Sequence, residues 1–323
     1  MPLLDSTFSP RPYLRGGHLQ TILPSVVRPV DDVAYERERI ATPDGDFLDL
    51  DWVRSARRRV VIVSHGLEGN SSRAYVRGMA RALRDAGFDV LAWNYRGCSG
   101  EPNRLLRSYH SGASDDLGVV IEHVASLERY DAIALVGFSL GGNITLKYLG
   151  ETSDGAHPLV RAAVAFSVPA DLGSSAHRLA ECANAIYMRR FMTTLRAKML
   201  AKASLMPPTI SLEGIDRVRT FLEFDDRYTA PIHGYRDGPD YWTRASSRPL
   251  LAGIRRPTLL VNALDDPFLT PQCMPFDEAR ASEHFHFEAP AHGGHVGFME
   301  RWDRYWSEAR AVAFLRRWIG HML

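Results

Sequence analysis

The five residues Gly137-Phe138-Ser139-Leu140-Gly141 stand between two segments of different periodicity. Before them runs Ala132-Ile133-Ala134-Leu135-Val136, apolar and β-prone; after them Gly142-Asn143-Ile144-Thr145-Leu146-Lys147-Tyr148-Leu149 has helical spacing. A chain that leaves a strand and enters a helix at one residue must turn sharply, and flanking glycines remove the side chains that would block the turn. The serine is thereby raised above the carboxyl end of a sheet with its hydroxyl exposed. The pentapeptide alone is a weak signal, and the strand and helix around it make it a strong one.

The surroundings extend this corner into an alternating fold. Glu36 to Thr42 and Phe47 to Val53 alternate around Pro43-Asp44-Gly45-Asp46 and predict an antiparallel hairpin. Val60 to Ser64 predicts a buried strand, residues 74–86 a helix, Phe88 to Trp93 a strand, residues 113–127 a helix, and Ala162 to Phe166 another strand. Such alternation predicts an α/β class, a mostly parallel twisted sheet with helices on both faces. Residues 31–169 and 250–323 are assigned to this core. Between them the alternation stops. One helix suffices to join neighbouring parallel strands, so the surplus predicts a helical cap insertion over residues 170–249. The sheet resumes with Pro257 to Asn262 and His284 to Glu288, and residues 302–319 predict a closing amphipathic helix. Residues 1–30, rich in proline and arginine with little periodicity, predict an extended N-terminal arm packed on the domain.

Charge and cysteine usage exclude several roles. Lys plus Arg number 39 against 38 Asp plus Glu, so no net field recruits nucleic acid or an anionic membrane. No stretch is apolar enough to cross a bilayer, and Met1-Pro2-Leu3-Leu4-Asp5-Ser6 lacks the basic start and apolar run of a secretory signal. Cys98, Cys182 and Cys273 are scattered singly, which fits a reducing compartment and reads each as a small buried apolar residue. The expectation is a cytoplasmic protein with a small-molecule partner, no nucleic-acid partner and no integral membrane segment. Its oligomeric state is left open.

A serine hydroxyl is a poor nucleophile at neutral pH and needs a histidine to take its proton and a carboxylate to orient that histidine. In a sheet of this kind the chain order is serine, acid, histidine. Asn262-Ala263-Leu264-Asp265-Asp266-Pro267 follows the first strand after the cap and offers two adjacent carboxylates. Counting three residues from Asn262 as the turn residue selects Asp265, which leaves Asp266 as a turn or capping residue before Pro267. The histidine is expected on the loop after the last strand, where His295 follows paired glycines and His292 is left a hydrogen-bonded or surface residue. Two backbone N–H groups must meet the developing oxyanion. They are assigned to Leu140, directly after the serine, and to Leu67, after the His65-Gly66 pair that ends a buried strand. The His292 to His295 spacing lacks a companion glutamate helix, and the His284/His286 pair reads as a polar strand face, so no metal and no organic cofactor is expected.

Beyond the serine corner, the chain resembles the α/β-hydrolase superfamily, and within it the AB hydrolase 4 family of bacterial YheT-like esterases and eukaryotic lipid-acting abhydrolase proteins. The resemblance rests on Gly17-His18-Leu19-Gln20-Thr21-Ile22-Leu23-Pro24, His65-Gly66-Leu67-Glu68-Gly69, Asn94-Tyr95-Arg96-Gly97-Cys98-Ser99-Gly100 and Phe224-Asp225-Asp226-Arg227-Tyr228-Thr229-Ala230-Pro231. It continues through the Asn262 to Phe268 and Gly293 to Phe298 segments and covers nearly the whole chain. It implies the α/β-hydrolase fold, a triad of Ser139, Asp265 and His295, and hydrolysis of short- or medium-chain carboxylic esters by a serine esterase of lipid metabolism. The alternatives are an acyl-CoA/alcohol acyltransferase on the same triad and a non-catalytic binding protein on the same scaffold. The apolar cap residues Tyr187, Met188, Phe191, Met192, Leu195 and Met199 either line an acyl pocket or pack the cap onto the core. His18 and Gln20 either shape the entrance or bond the loops beneath them.

Overall fold

Alternate residues of the central strands pack into two separate apolar clusters: Ile62 and Leu135 join one, while Val61, Val63, Ala134 and Val136 join the other. Strands buried on both faces must be sandwiched between helices, and the element order supplies them. The computed structural model describes residues 2–319; Met1 and residues 320–323, which fall in the expected arm and core, lie outside the described residues. After strand β1 (Leu3–Leu4) and helix α1 (Gly17–Val27) come β2 (Glu36–Ala41), β3 (Phe47–Val53), β4 (Arg59–Ser64), α2 (Ala74–Asp85), β5 (Asp89–Asn94) and α3 (Ser114–Ser126). Strand β6 (Ala132–Phe138), α4 (Leu140–Thr152) and β7 (Val160–Phe166) complete the first half.

The second half opens on helices: α5 (Leu172–Leu179), α6 (Ala185–Ala201), α7 (Phe221–Phe224), α8 (Ala230–His233) and α9 (Gly238–Ala245). Strand β8 (Thr258–Val261), α10 (Phe276–Arg280), β9 (Phe285–Glu288), the small hairpin β10 (Met299–Arg301) with β11 (Arg304–Tyr305), and α11 (Trp306–Ile319) follow. Among the described residues the sheet has nine strands in the order β1-β9-β8-β7-β6-β4-β5-β3-β2. Pairing is parallel from β1 to β5 along this order, and only β3 runs against its neighbours. This is the mostly parallel, doubly covered sheet expected from the alternation, in the α/β-hydrolase fold that the resemblance implies. Helices α3 and α4 cover one face through Leu117, Val120, Ile121, Ile144 and Leu149; α2 and α11 cover the other through Val76, Met79, Leu83, Ala311 and Leu315.

Three expectations need correction. The N-terminal segment is not an extended arm: Gly17–Val27 is helical in spite of Pro24, and Leu3–Leu4 adds a parallel edge strand beside β9. The helix is held by tertiary contacts that local periodicity does not register, since its own Gln20 is fully buried. Residues 302–305 belong to the β10–β11 turn and second strand, so the last helix starts at Trp306. Cys182 is exposed, while Cys98 and Cys273 are buried.

The helices between β7 and β8 have an apolar cluster of their own, built on Tyr187, Met188, Met192, Leu195 and Met199 of α6 together with Phe224 and Tyr228. The segment Asp225–Thr229 between α7 and α8 widens into a π-helical turn. Its Asp225 accepts hydrogen bonds from Thr229 Oγ1 at 2.6 Å and Trp242 Nε1 at 2.7 Å, and Asp226 accepts from Gly238 N at 2.6 Å. The Phe224 to Pro231 segment therefore ties α7, α8 and α9 together.

Candidate active site

Ser139 sits between β6 and α4 with φ 52° and ψ −120°, a left-handed conformation that costs a side-chain-bearing residue energy. The corner can form because Gly141 is bare: a Cβ there would lie 2.4 Å from the carbonyl oxygens of both Ser64 and His65, at the end of β4. The Ser139 amide is tied to Phe166 O at 2.8 Å, which fixes the corner to β7.

His295 Nε2 lies 2.9 Å from Ser139 Oγ. On the opposite side of the ring, Nδ1 lies 2.9 Å from Asp266 Oδ2 and 3.2 Å from Asp266 Oδ1. The structure thus joins Ser139 and His295 as expected and replaces Asp265 by its neighbour. The reason is the turn after β8. Asp266 N bonds to Ala263 O at 3.2 Å, which leaves Asp265 at the third position of the turn and carries Asp266 back under the imidazole. Asp265 faces the histidine loop, accepting from Gly294 N at 2.9 Å and standing 3.3 Å from His292 Nδ1. The Asp266 side chain is completely buried and that of Asp265 is a fifth exposed. Asp266 also keeps the turn role expected of it, since Oδ1 accepts from Phe268 N at 2.9 Å. The Phe268 ring covers the imidazole, with centroids 4.1 Å apart.

The loop bearing His295 is braced by the N-terminal helix. His295 N donates to Thr21 Oγ1 at 2.9 Å, and Val296 N donates to Ser167 Oγ at 2.8 Å, which holds Val296 at φ 66°. Pro24 has no N–H for the Gln20 carbonyl four residues earlier, and Gly297 packs against that freed oxygen so closely that a Cβ would lie 2.0 Å from it. Gln20 itself bonds Met299 and Leu14, so it binds loops, whereas His18 reaches α6: its Nδ1 is 3.0 Å from the Tyr187 hydroxyl. Thr21 and Ser167 were not singled out by sequence reasoning. Thr21 lay inside the motif that begins at Gly17, and its spacing carried no sign of a partner 274 positions away.

Leu140 begins α4, so its N–H is one of the donors a helix leaves unsatisfied at its start. Leu67 lies on the turn after β4, where the amides on either side are taken: Gly66 N donates to Tyr75 Oη at 2.8 Å and Glu68 N to Tyr109 Oη at 3.0 Å. Burial pushes the adjacent His65 down to about 3, so it stays neutral, Nδ1 donating to Gly66 O at 2.8 Å. Leu67, Leu140, Ser139 and His295 all line one cavity of about 270 Å³ beneath α6. Of the α6 residues with two expected uses, Phe191, Leu195 and Met199 line this cavity, while Met188 and Met192 pack within the helical layer. Arg96 is a strut: it grips Asp116 of α3 at 2.7 and 2.8 Å and Asp44 of the β2–β3 turn at 2.8 Å.

A serine on a strand-to-helix corner, backed by histidine and aspartate in the order this fold prescribes, defines the α/β-hydrolase class. The family model described as alpha/beta hydrolase fold matches residues 59–301, and the chain belongs to that family. It is 35% identical to "Putative esterase YheT" of Escherichia coli (strain K12), covering 94% of this chain and 91% of that protein. It is 28% identical to "Phospholipase ABHD3" of Homo sapiens, over 94% of this chain and 76% of the relative. Among solved structures, the Pyrococcus furiosus esterase Pf2001 matches with a TM-score of 0.61 at 20% identity, covering 90% of this chain and 92% of that one. Among the described residues no helix is long and apolar enough to cross a membrane.

Proposed function

We propose that the protein is a serine esterase that cleaves short- or medium-chain carboxylic esters through an acyl-enzyme. The observation that carries this reading is the unbroken line Ser139 Oγ, His295, Asp266, with 2.9 Å at each step, opening onto a cavity walled by Leu172, Leu179, Leu195 and Phe221. His295 accepts the Ser139 proton as Oγ attacks the carbonyl carbon, and Asp266 holds the imidazole in the tautomer that presents Nε2 to the serine. The Leu67 and Leu140 amides receive the oxyanion. The C–O bond to the alcohol breaks as His295 passes its proton to the leaving oxygen. Water, deprotonated by the same histidine, then attacks the acyl-serine, releasing the acid and restoring the hydroxyl.

The test is Ser139→Ala. It is expected to lower kcat on p-nitrophenyl butyrate by about 10³-fold or more, to abolish fluorophosphonate labelling and to leave the circular dichroism spectrum unchanged. Turnover that survives the substitution would overturn the assignment.

A further inference from the structure

The residue after Leu67 stands in a conformation that its own chemistry disfavours. Glu68 has φ 54°, in the left-handed region that a side-chain-bearing residue enters at a cost, so contacts from outside the turn must hold it there. Those contacts are present on each part of the residue. Its N–H donates to Tyr109 Oη at 3.0 Å, its carbonyl accepts from Arg73 Nη2 at 2.9 Å, and its carboxylate accepts from the Tyr109 hydroxyl and pairs with Lys198 Nζ at 2.9 Å. The Leu67 N–H is the contrast: it has no hydrogen-bond acceptor among the described residues, as suits a donor kept for a transient oxyanion.

Lys198 comes from outside the sheet. It lies on α6, among the helices between β7 and β8, and its ammonium reaches the core at three points: Glu68, the Cys98 sulfur at 3.0 Å and the face of the Tyr109 ring, 4.7 Å from the centroid. Burial pushes Cys98 up to about 11, so that thiol stays neutral and the Glu68 carboxylate balances the ammonium. Tyr109 stacks on Tyr95 with centroids 5.3 Å apart, and the Tyr95 hydroxyl donates to His65 O at 2.5 Å. The contacts of Lys198 thus extend to both sides of Leu67. The same helix walls the substrate cavity through Phe191, Leu195 and Met199.

We infer that Lys198 is a positioning residue for the oxyanion hole: through Glu68 it fixes the Leu67 amide, so the hole is complete only while α6 is seated on the core. The inference rests on the esterase reading and deepens it. Leu67 N–H meets the substrate oxygen fully only once that oxygen is tetrahedral and charged, so loss of Lys198 is felt at the transition state, while ground-state binding stays with the cavity walls.

The experiment pairs kinetics with a transition-state analogue. Ser139 Oγ adds to the carbonyl carbon of 1,1,1-trifluoro-2-pentanone, the carbonyl π pair moves onto oxygen, and His295 takes the serine proton, which leaves an oxyanion in the hole. 2-Pentanone fills the same space without a stable adduct. Lys198→Met is expected to lower kcat on p-nitrophenyl butyrate by about 10- to 100-fold, short of the 10²–10³ that removing a whole donor costs, with KM within about threefold. The trifluoromethyl ketone Ki is expected to rise by the same factor as kcat/KM falls, and the 2-pentanone Ki to stay within about twofold of wild type. Lys198→Arg keeps the charge and is expected to recover most of both losses. Where Lys198→Met does not fold, Glu68→Gln, which removes the ion pair but leaves Tyr109 an acceptor, is expected to shift the same two constants.

Wild-type kcat/KM in both variants, or a fall in kcat/KM without weaker binding of the trifluoromethyl ketone, would overturn the inference. If wild type does not turn over p-nitrophenyl butyrate at all, the esterase reading is what fails. The ¹⁹F spectrum of the bound trifluoromethyl ketone then decides the hole: an adduct that Lys198→Met weakens by tenfold or more supports the positioning role, and no adduct, or one of equal affinity, sinks it.

Discussion

Gln20 grips Met299 with both ends of its amide: Nε2 donates to Met299 O at 2.9 Å and Oε1 accepts from Met299 N at 2.8 Å, with no solvent reaching the side chain. A residue on the first helix thus pins the strand that immediately follows the loop bearing His295. The same Nε2 also donates to Leu14 O at 2.9 Å, so one side chain satisfies three backbone groups.

Removing that amide leaves those groups unpaired. Gln20→Ala is expected to destabilise the protein by about 3 kcal/mol, since each buried orphan costs roughly 1–3 kcal/mol and water entering the vacated space recovers part. Urea denaturation checks the stability. Butyrate ester kinetics check the second expectation, that kcat falls more than KM rises because the imidazole loses its brace. A variant with wild-type midpoint and kcat would show that the bond is dispensable.

The two adjacent aspartates separate cleanly by substitution. Asp266→Asn is expected to lower kcat by about 10⁴-fold, because an amide presents the wrong hydrogen-bonding partner to Nδ1 and the tautomer is lost. Asp265→Asn retains an oxygen for Gly294 N and is expected to stay within about tenfold of wild type. The opposite ranking in steady-state kinetics would return the acid to position 265.

Asp225 predicts a pH dependence. Burial pushes its carboxyl up to about 7, with the Thr229 and Trp242 hydrogen bonds opposing that rise and Asp226 adding to it. The folded state therefore keeps a proton that the unfolded chain releases near pH 4, so this contribution to stability is complete below about pH 4 and is lost as pH climbs to about 7. Asp225→Asn carries no such charge. Its stability is expected to gain on wild type by roughly 1 kcal/mol per pH unit between about pH 4 and 7 and to level off above. Other titrating groups, including His65, cancel in the difference. Chemical denaturation of both proteins at several pH values reads the gap, and a gap that does not change with pH would exclude a neutral buried carboxyl.

The elements that carry their own local signal were legible without coordinates. The β2–β3 hairpin, the β/α alternation through β7 and the Ser139 corner each depend on side-chain periodicity or turn chemistry within a few neighbouring residues. The position of His295 on the loop after β9 followed from the order of those elements, and the 2.9 Å approach to Ser139 agrees with it.

What tertiary structure decided are the features set by distant contacts. The Gly17–Val27 helix has a glycine before it, an interior proline and no acidic residue in its first turn, so its stability comes from Gln20, Thr21 and His18 reaching the chain at Met299, His295 and Tyr187. Which of two neighbouring aspartates meets the imidazole depends on the direction of a single turn, and that direction is held from outside the motif. Leu264 N bonds Pro290 O at 2.9 Å and the Asn262 side chain bonds Val168 and Cys273. The amino-acid sequence alone determined the Ser139 corner, the place of His295 after the last strand and the sheet beneath them, because each follows from local backbone shape and the order of the elements. The carboxylate beside the His295 imidazole and the brace under that loop were settled only on folding, because hydrogen bonds between residues far apart in the chain select one of several turns that local chemistry leaves nearly equal in energy.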